Sequence, residues 1–248
     1  VRGYRLAVLS NNDSRLRSVL NDHKITPLFD ELFISSEMGV EKPDPAIFRT
    51  VEKTMKEVPR DGKTIGADTR TLTFGGDKTS RYLDLEINMH ATNQDIVFEE
   101  FKDGFVGIRT HPDLRLTPSP KHGVNKVFGK ARNSEGVEGK SIWGKRADWV
   151  HYYGTIEGKE AGIAFLSHPS NIVKKGDKSW WHARDYGLIS ANPFAPTKIG
   201  GNGEHTIKKG QSLKLRYRFV FHNGPAKDAK IGQRFNEYAK DDGHPTSN

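Results

Sequence analysis

The sequence lacks cysteine altogether, and this absence excludes several kinds of chemistry at once. Among 248 residues there are 0 Cys and only 3 Met. Disulfide bonds, thiolate metal sites and cysteine nucleophiles are therefore excluded. Long apolar runs are also lacking, because no stretch approaches the roughly 18 apolar residues of a membrane-spanning helix. We expect no membrane segment, and no signal peptide is visible, so the compartment is left unknown.

The charge balance is positive but dispersed. The chain has 39 Lys and Arg against 31 Asp and Glu, a net charge of +8. Such a balance raises nucleic acid as a partner. The densest basic stretch, residues 121–146, also contains Glu135 and Glu138. It lacks the alternation of basic and aromatic residues typical of a groove for single strands. We therefore expect a solvated basic surface, and nucleic acid is disfavoured as a partner.

The first sixty residues have the pattern of an α/β fragment. Leu16, Val19 and Leu20 fall at helical spacing, just after a run of helix-capping side chains. Pro45 stands where a second helix would begin. The predicted elements are strands over 4–9 and 32–35 and a helix over 43–55. We assign residues 1–61 to this fragment.

Beyond residue 62 the hydrophobic period changes from about 3.6 to 2. In residues 81–90, Leu83, Leu85, Ile87 and Met89 share one face, and residues 212–222 alternate in the same way. Helical spacing returns only near the end, through Ile231, Phe235 and Tyr238. Further predicted strands cover 95–101, 104–110, 137–143, 149–156 and 160–167, with a hairpin turn at 157–159. We predict a mainly β domain over 62–248, an antiparallel β-sandwich or supersandwich with a C-terminal helix.

Two blocks near the N-terminus carry a resemblance to a hydrolase family. They are Leu-Ser-Asn at residues 9–11 and Ser-Ser-Glu-Met-Gly-Val-Glu-Lys-Pro-Asp-Pro at residues 35–45. They resemble the haloacid-dehalogenase-like hydrolases. The resemblance implies that Ser10 binds phosphoryl oxygens and that Lys42 steadies the charge of the nucleophile. The family's nucleophilic Asp and its acidic magnesium motif have no convincing counterpart, since Asp68 is a poor substitute. We expect a phosphate-binding remnant without phosphatase activity.

A second set of blocks, in the same order and spacing as in a known family, lies between residues 68 and 240. They include Trp-Gly-Lys-Arg-Ala-Asp-Trp-Val at 143–150, His-Pro-Ser-Asn at 168–171, Trp-His-Ala-Arg-Asp-Tyr-Gly at 181–187 and Ala-Asn-Pro-Phe at 191–194. They resemble the methane oxygenase PmoA-like family, also described as a domain of unknown function. The resemblance implies a β-sandwich of the galactose-mutarotase type. The first part of that family has no counterpart, which predicts a sandwich that lacks edge strands. A natural fusion, a truncation and an assembly artefact would each explain such a chain.

The strongest candidate site is the block of residues 180–186. On a strand, Trp180, His182 and Arg184 point to one face. An aromatic ring beside an imidazole and a guanidinium is typical of a sugar site. Trp180 and Trp181 would then form the platform, His182 would act as general acid or base, and Arg184 and Tyr186 would bind substrate. The alternative is that both tryptophans belong to the core and that Arg184 pairs with Asp185 or Asp148.

Three more residues complete the predicted site. Glu86 is a possible base opposite His182, Arg109 a possible anchor for anionic groups, and Asn192 a possible hydrogen-bond partner in the same cleft. The histidines are scattered without a ligand spacing, so we predict neither a metal site nor a cofactor.

Three functions stay open. The first is a carbohydrate-related protein that binds or modifies a small-molecule or oligosaccharide ligand. The second is a non-catalytic interaction or structural module, and the third is a phosphatase. Whether the chain is an enzyme, and its oligomeric state, are left undecided.

Overall fold

The structure is a computed structural model that describes most of the chain. The described residues are 7–10, 15–22, 24, 26–29, 31–40, 44, 46, 50, 65–120, 123–172 and 177–241. The chain divides into two compact units, residues 1–64 and residues 65–248. The sequence placed this boundary between residues 61 and 62. Among the described residues, no helix is both long and apolar enough to cross a membrane.

The first unit contains a small parallel sheet. Strand β1, Ala7–Ser10, pairs in parallel with β2, Glu31–Ile34, and helix α1, Arg15–Asp22, lies between them in sequence. A 3-10 turn at Thr26–Leu28 and the short helix α2, Ser35–Met38, complete the described elements. Both predicted strands are present, whereas most of the predicted helix over 43–55 lies outside the described residues.

The second unit is an antiparallel β-sandwich. Its strands are β3 (Ala67–Gly76), β4 (Ser80–His90), β5 (Ile96–Phe98), β6 (Val106–Arg109), β7 (Lys130–Asn133), β8 (Arg146–Ala147), β9 (Trp149–Ile156), β10 (Lys159–Ser167), β11 (Ser179–Ala183), β12 (Leu188–Ala191), β13 (His205–Ile207) and β14 (Ser212–Asn223). One sheet has the order β3-β4-β14-β10-β9-β7 and the other the order β6-β12-β11-β8. Strands β13 and β5 form a separate pair. The predicted mainly β class is confirmed.

The core lies between the two large sheets. Alternation in β14 turns Leu215, Tyr217 and Phe219 inward, where they pack in one cluster with Ile87 of β4 and Trp181 of β11. These side chains are buried because strand alternation places every second residue on the inner face. The period of two that was visible in the sequence therefore identified the inner face of β4 and β14 correctly.

Helix α3, Ile231–Tyr238, covers the other face of the large sheet. Ile231, Phe235 and Tyr238 are buried there and pack in a second cluster. Beneath the helix, Arg218 donates to both carboxylate oxygens of Asp84 at 2.6 and 2.7 Å. Helix α3 therefore covers part of the second face of β14, so residues on both faces of this strand are buried.

Two local predictions meet different outcomes. The strand predicted over 137–143 is wrong, because Gly139–Ile142 forms a 3-10 helix and Gly139 has a φ of +61°. The predicted hairpin turn is confirmed: Glu157 and Gly158, with φ of 50° and 79°, connect β9 to β10. Positive φ at both central residues is the type I′ geometry that matches the twist of paired strands.

The sandwich is open along one side. Strands β3 and β6 end the two large sheets, and no described strand pairs with their outer edges. On β3, Leu72 and Phe74 are 54% and 73% exposed. Next to them lies an apolar groove of about 770 Å³, lined by Leu85, Phe98 and Val106 among others.

Candidate functional site

The candidate site lies on the outer face of the four-stranded sheet. In β11, Trp181 and Ala183 belong to the core between the sheets. Because side chains alternate along a strand, Trp180 and His182 point to the opposite face. The alternation predicted for this block therefore agrees with the structure over residues 180–183.

Neither Trp180 nor Trp181 has a surface on which a ligand could stack. Both are fully buried, at 0% exposure. The Trp180 indole donates to the carbonyl of Ile199 at 3.1 Å, and the Trp181 indole donates to that of Ala147 at 2.9 Å. The structure thus contradicts their predicted role as the platform. It supports the alternative in which both rings are core residues.

His182 is buried directly behind the surface. Its Nδ1 accepts a hydrogen bond from the Trp143 indole at 3.3 Å, and its Nε2 lies 3.9 Å from Oδ1 of Asp103. Burial lowers the pKa of His182 below its usual value, and the nearby Arg184 guanidinium lowers it further. The ring is therefore neutral near pH 7, as its role as acceptor requires.

Trp143 is the exposed aromatic side chain of this face, and the sequence did not identify it as a site residue. It keeps 36% of its surface exposed. Its ring packs edge-on against Trp180, with centroids 6.0 Å apart, while its indole N–H is held by His182. The ring is thus fixed in direction. The sequence placed Trp143 in a strand predicted over 137–143, whereas in the structure it directly follows a 3-10 helix.

Arginine and aromatic side chains alternate beside Trp143. The Arg184 guanidinium lies 5.8 Å from the centroid of the Trp143 ring and 5.5 Å from that of Tyr186. Arg109 lies 5.2 Å from the centroid of the same Tyr186 ring. Such distances are within reach of cation–π attraction. We call Trp143, Arg184, Tyr186 and Arg109 the aromatic–arginine surface.

The predicted ion pairs of Arg184 are replaced by these stacking contacts. Asp148 and Asp185 face lysines, at 2.9 Å from Lys178 and 3.7 Å from Lys140. The Arg184 cation is therefore not matched by the carboxylates that the sequence suggested.

Asn192 has a positioning role rather than a place in a cleft. It is buried, and its Nδ2 donates to the carbonyls of Phe101 and Lys102. Its Oδ1 accepts from the backbone N–H of Phe194 at 3.0 Å. Since Asp103 follows this segment directly, Asn192 holds the loop that faces His182.

Glu86 does not meet His182. Its carboxylate lies 3.0 Å from Lys214 and 3.7 Å from Arg216, on the face of the six-stranded sheet that α3 covers. His182 lies on the outer face of the other sheet, so the whole core separates the two groups. The predicted pairing of Glu86 as base with His182 as acid is wrong.

Two further predictions concern the phosphate-binding residues of the first unit and a metal site. Lys42 lies outside the described residues, and of Ser10 only the backbone, at the end of β1, is described. Within the described part of the chain, no three His, Asp or Glu side chains come together as a metal site would require.

Comparison with known proteins identifies a family for most of the chain. A family of unknown function, DUF6807, matches residues 39–236. The match begins inside the first compact unit and covers the whole aromatic–arginine surface. No solved structure matches.

Short matches to curated hydrolases also exist. A mouse haloacid dehalogenase-like hydrolase domain-containing protein 3 is 46% identical over 48 residues, 19% of this chain and 19% of that protein. A putative uncharacterized hydrolase of Schizosaccharomyces pombe is 41% identical over 56 residues, 22% of this chain and 25% of that protein. The matched part spans about a fifth to a quarter of these relatives.

Proposed function

Because the chain belongs to the family of unknown function DUF6807, no activity follows from membership, and we propose from the geometry that the β-sandwich unit binds a carbohydrate on its aromatic–arginine surface. The observation that carries the proposal is Trp143, an exposed ring whose indole N–H is fixed by the buried His182. A flat ring held in one direction is suited to pack against the C–H groups of a sugar.

The chemistry of the surface favours an acidic sugar. Arg109 and Arg184 both lie close to the Tyr186 ring, and among the described residues neither guanidinium contacts a carboxylate. A guanidinium offers a planar fork of donors that matches a carboxylate. We therefore propose that the ligands of this surface are saccharides that contain uronic acid.

The role is binding rather than catalysis. His182 is only 2% exposed, and its Nδ1 is engaged by Trp143. A general acid or base must come within hydrogen-bond reach of the reacting group. Glu86, the other predicted catalytic group, lies on the far side of the sandwich. A non-catalytic module that binds sugar combines the two leading hypotheses from the sequence.

The resemblance to the PmoA-like family and to galactose-mutarotase-type sandwiches belongs to this proposal. Mutarotase-type sandwiches are associated with sugars, and the described antiparallel sheets are compatible with such an architecture. A crystal structure with a bound uronate would test both the architecture and the surface.

Calorimetric titration with a panel of neutral and acidic mono- and oligosaccharides tests the binding role. We expect an acidic saccharide to bind, and Trp143→Ala to weaken it about five- to tenfold, because a stacked ring contributes on the order of 1 kcal/mol. His182→Ala should weaken binding in the same direction, since the indole loses its acceptor. Phe128→Ala, at an exposed ring outside this surface, is the matched control and should change nothing.

Two results would contradict the proposal. One is that no saccharide in the panel binds the intact chain. The other is that Trp143→Ala and Phe128→Ala bind the acidic saccharide equally well.

For the N-terminal unit we propose no phosphate-ester hydrolysis. The resemblance supplies only Ser10 and Lys42 and no aspartyl nucleophile. With p-nitrophenyl phosphate and Mg²⁺, the intact chain should release no nitrophenol above a blank. Release that is abolished by Ser10→Ala would show that a working phosphoryl-transfer site exists.

A further inference from the structure

A separate cleft opens at one end of the sandwich, between the two large sheets. It has a volume of about 500 Å³, within the usual range of small-molecule sites. Ile163 and Phe221 line it from the six-stranded sheet, and Ile108 and Leu114 line it from the opposite wall. Apolar side chains therefore line both walls of the cleft, together with polar residues that include Thr110 and His222.

Basic residues line the mouth of the cleft on both sides. Lys78 and Arg81 come from the β3–β4 turn and the start of β4, and Arg109 and His111 come from the end of β6 and the residues after it. Arg81 lies two residues before the inward-facing Leu83 on β4. Because side chains two residues apart on a strand share a face, the Arg81 side chain points toward the space between the sheets.

Carboxylates near this mouth are engaged by groups other than Arg81. Of the described residues that line the cleft, none is Asp or Glu. The Asp113 carboxylate lies 3.8 Å from Nδ1 of His111, and the Asp77 carboxylate contacts Arg234 at 2.7 Å. Arg81 itself donates to two backbone carbonyls, those of Asp77 and Ser80. Its charge therefore has no carboxylate partner among these contacts.

We propose that this cleft binds a single-chain amphiphilic anion, with the apolar chain between the sheets and the carboxylate at the mouth. The apolar walls would remove the chain from water, which is the main driving force for such a ligand. The head group would accept charge-assisted hydrogen bonds from Arg81, with His111 across the opening. The cleft shares Arg109 with the aromatic–arginine surface, but the contacts proposed for the head group come from Arg81 and His111, which are not part of that surface.

Calorimetry with three small probes separates the two parts of this ligand. Octanoate has the chain and the charge, 1-octanol has the chain alone, and acetate has the charge alone. We expect octanoate to bind the intact chain at least about tenfold more tightly than either other probe, because a charge-assisted hydrogen bond contributes roughly 1.5–3 kcal/mol. The affinity for octanoate should fall as salt is added, while that for octanol should not.

Two variants locate the site. Arg81→Gln should weaken octanoate about tenfold and leave octanol unchanged. Ala161→Leu, which places a larger side chain on the wall, should weaken both probes. Lys227→Gln, at an exposed lysine outside the cleft, is the matched control and should alter neither.

The proposal is overturned if octanoate and octanol bind the intact chain equally, or if octanoate binding is insensitive to both salt and Arg81→Gln. It is also overturned if Trp143→Ala weakens octanoate as much as Arg81→Gln does, because the anion would then lie on the outer face. The salt dependence uses the unaltered chain, so it decides the matter even if a variant folds poorly. Failure of sugar binding would leave these results unaffected.

Discussion

Replacing Phe165 with alanine is expected to lower the free energy of unfolding of the β-sandwich unit by about 3–5 kcal/mol. Phe165 lies on β10 and is fully buried. Its ring centroid is 4.3 Å from that of Phe219 in the neighbouring strand and 5.0 Å from that of Trp181 in the opposite sheet. The side chain thus joins the two sheets, and its removal leaves a cavity that packed aromatic rings cannot easily fill.

Urea denaturation followed by tryptophan fluorescence measures this loss. All 4 Trp, at positions 143, 149, 180 and 181, lie in the second unit, so the signal reports the unfolding of the sandwich alone. This matters because the two units need not unfold together.

Phe74→Ala is the matched control. It removes the same side chain from a position that is 73% exposed, at the open edge of the large sheet. We expect a change within about 0.5 kcal/mol, as for most surface substitutions. If Phe74→Ala proved as costly as Phe165→Ala, the open edge of β3 would have to be covered in solution.

The sequence predicted the long strands well, because their residues alternate between an apolar and a polar face. The inner faces of β4 and β14 follow from Leu83, Leu85, Leu213 and Leu215. Strand β3 was missed although its threonines alternate, because Leu72 and Phe74 are too few to mark a core face. The prediction of a strand over 137–143 was wrong because the apolar residues of this segment occupy a glycine-containing turn.

Local sequence showed which residues share a face but not what covers that face. Parity placed Trp180 and His182 together, as the structure does. It could not show that the segment ending at Ile199 covers Trp180, or that a residue on a turn, Trp143, supplies the exposed ring. Glu86 failed for the same reason, because the separation of the two sheets is a tertiary property. Roles can therefore be assigned to candidate site residues on a strand only when the segments that cover that strand are known.

Buried histidines should make the sandwich unit acid-sensitive. His151 on β9 and His222 on β14 are buried side by side, with their Nε2 atoms 2.8 Å apart. Burial, followed by the proximity of His222 and Arg132, lowers the pKa of His151 from 6.5 to about 3.

The sign of the effect follows from proton linkage. Above pH 6.5 neither the folded nor the unfolded state protonates His151, so its contribution does not vary with pH. Between pH 6.5 and about 3 the unfolded state binds a proton that the folded state does not, and stability falls as pH falls. From pH 7.5 to pH 5 we expect His151 alone to remove about 2 kcal/mol. The pKa values of His168, His182 and His222 are lowered as well, mainly by burial, and these residues add loss in the same direction.

The difference in unfolding free energy between pH 7.5 and pH 5, measured by urea denaturation, tests this contribution in the variant His151→Gln. Glutamine does not titrate, so the pH-dependent loss should be smaller than in the unaltered chain by about 2 kcal/mol, whatever the cost of the substitution at pH 7.5. His111→Gln, at an exposed histidine, should keep the full loss. An identical loss in both variants would mean that His151 is readily protonated in the folded state. The packing of β9 and β14 around the histidine pair would then have to be looser than the 2.8 Å contact indicates.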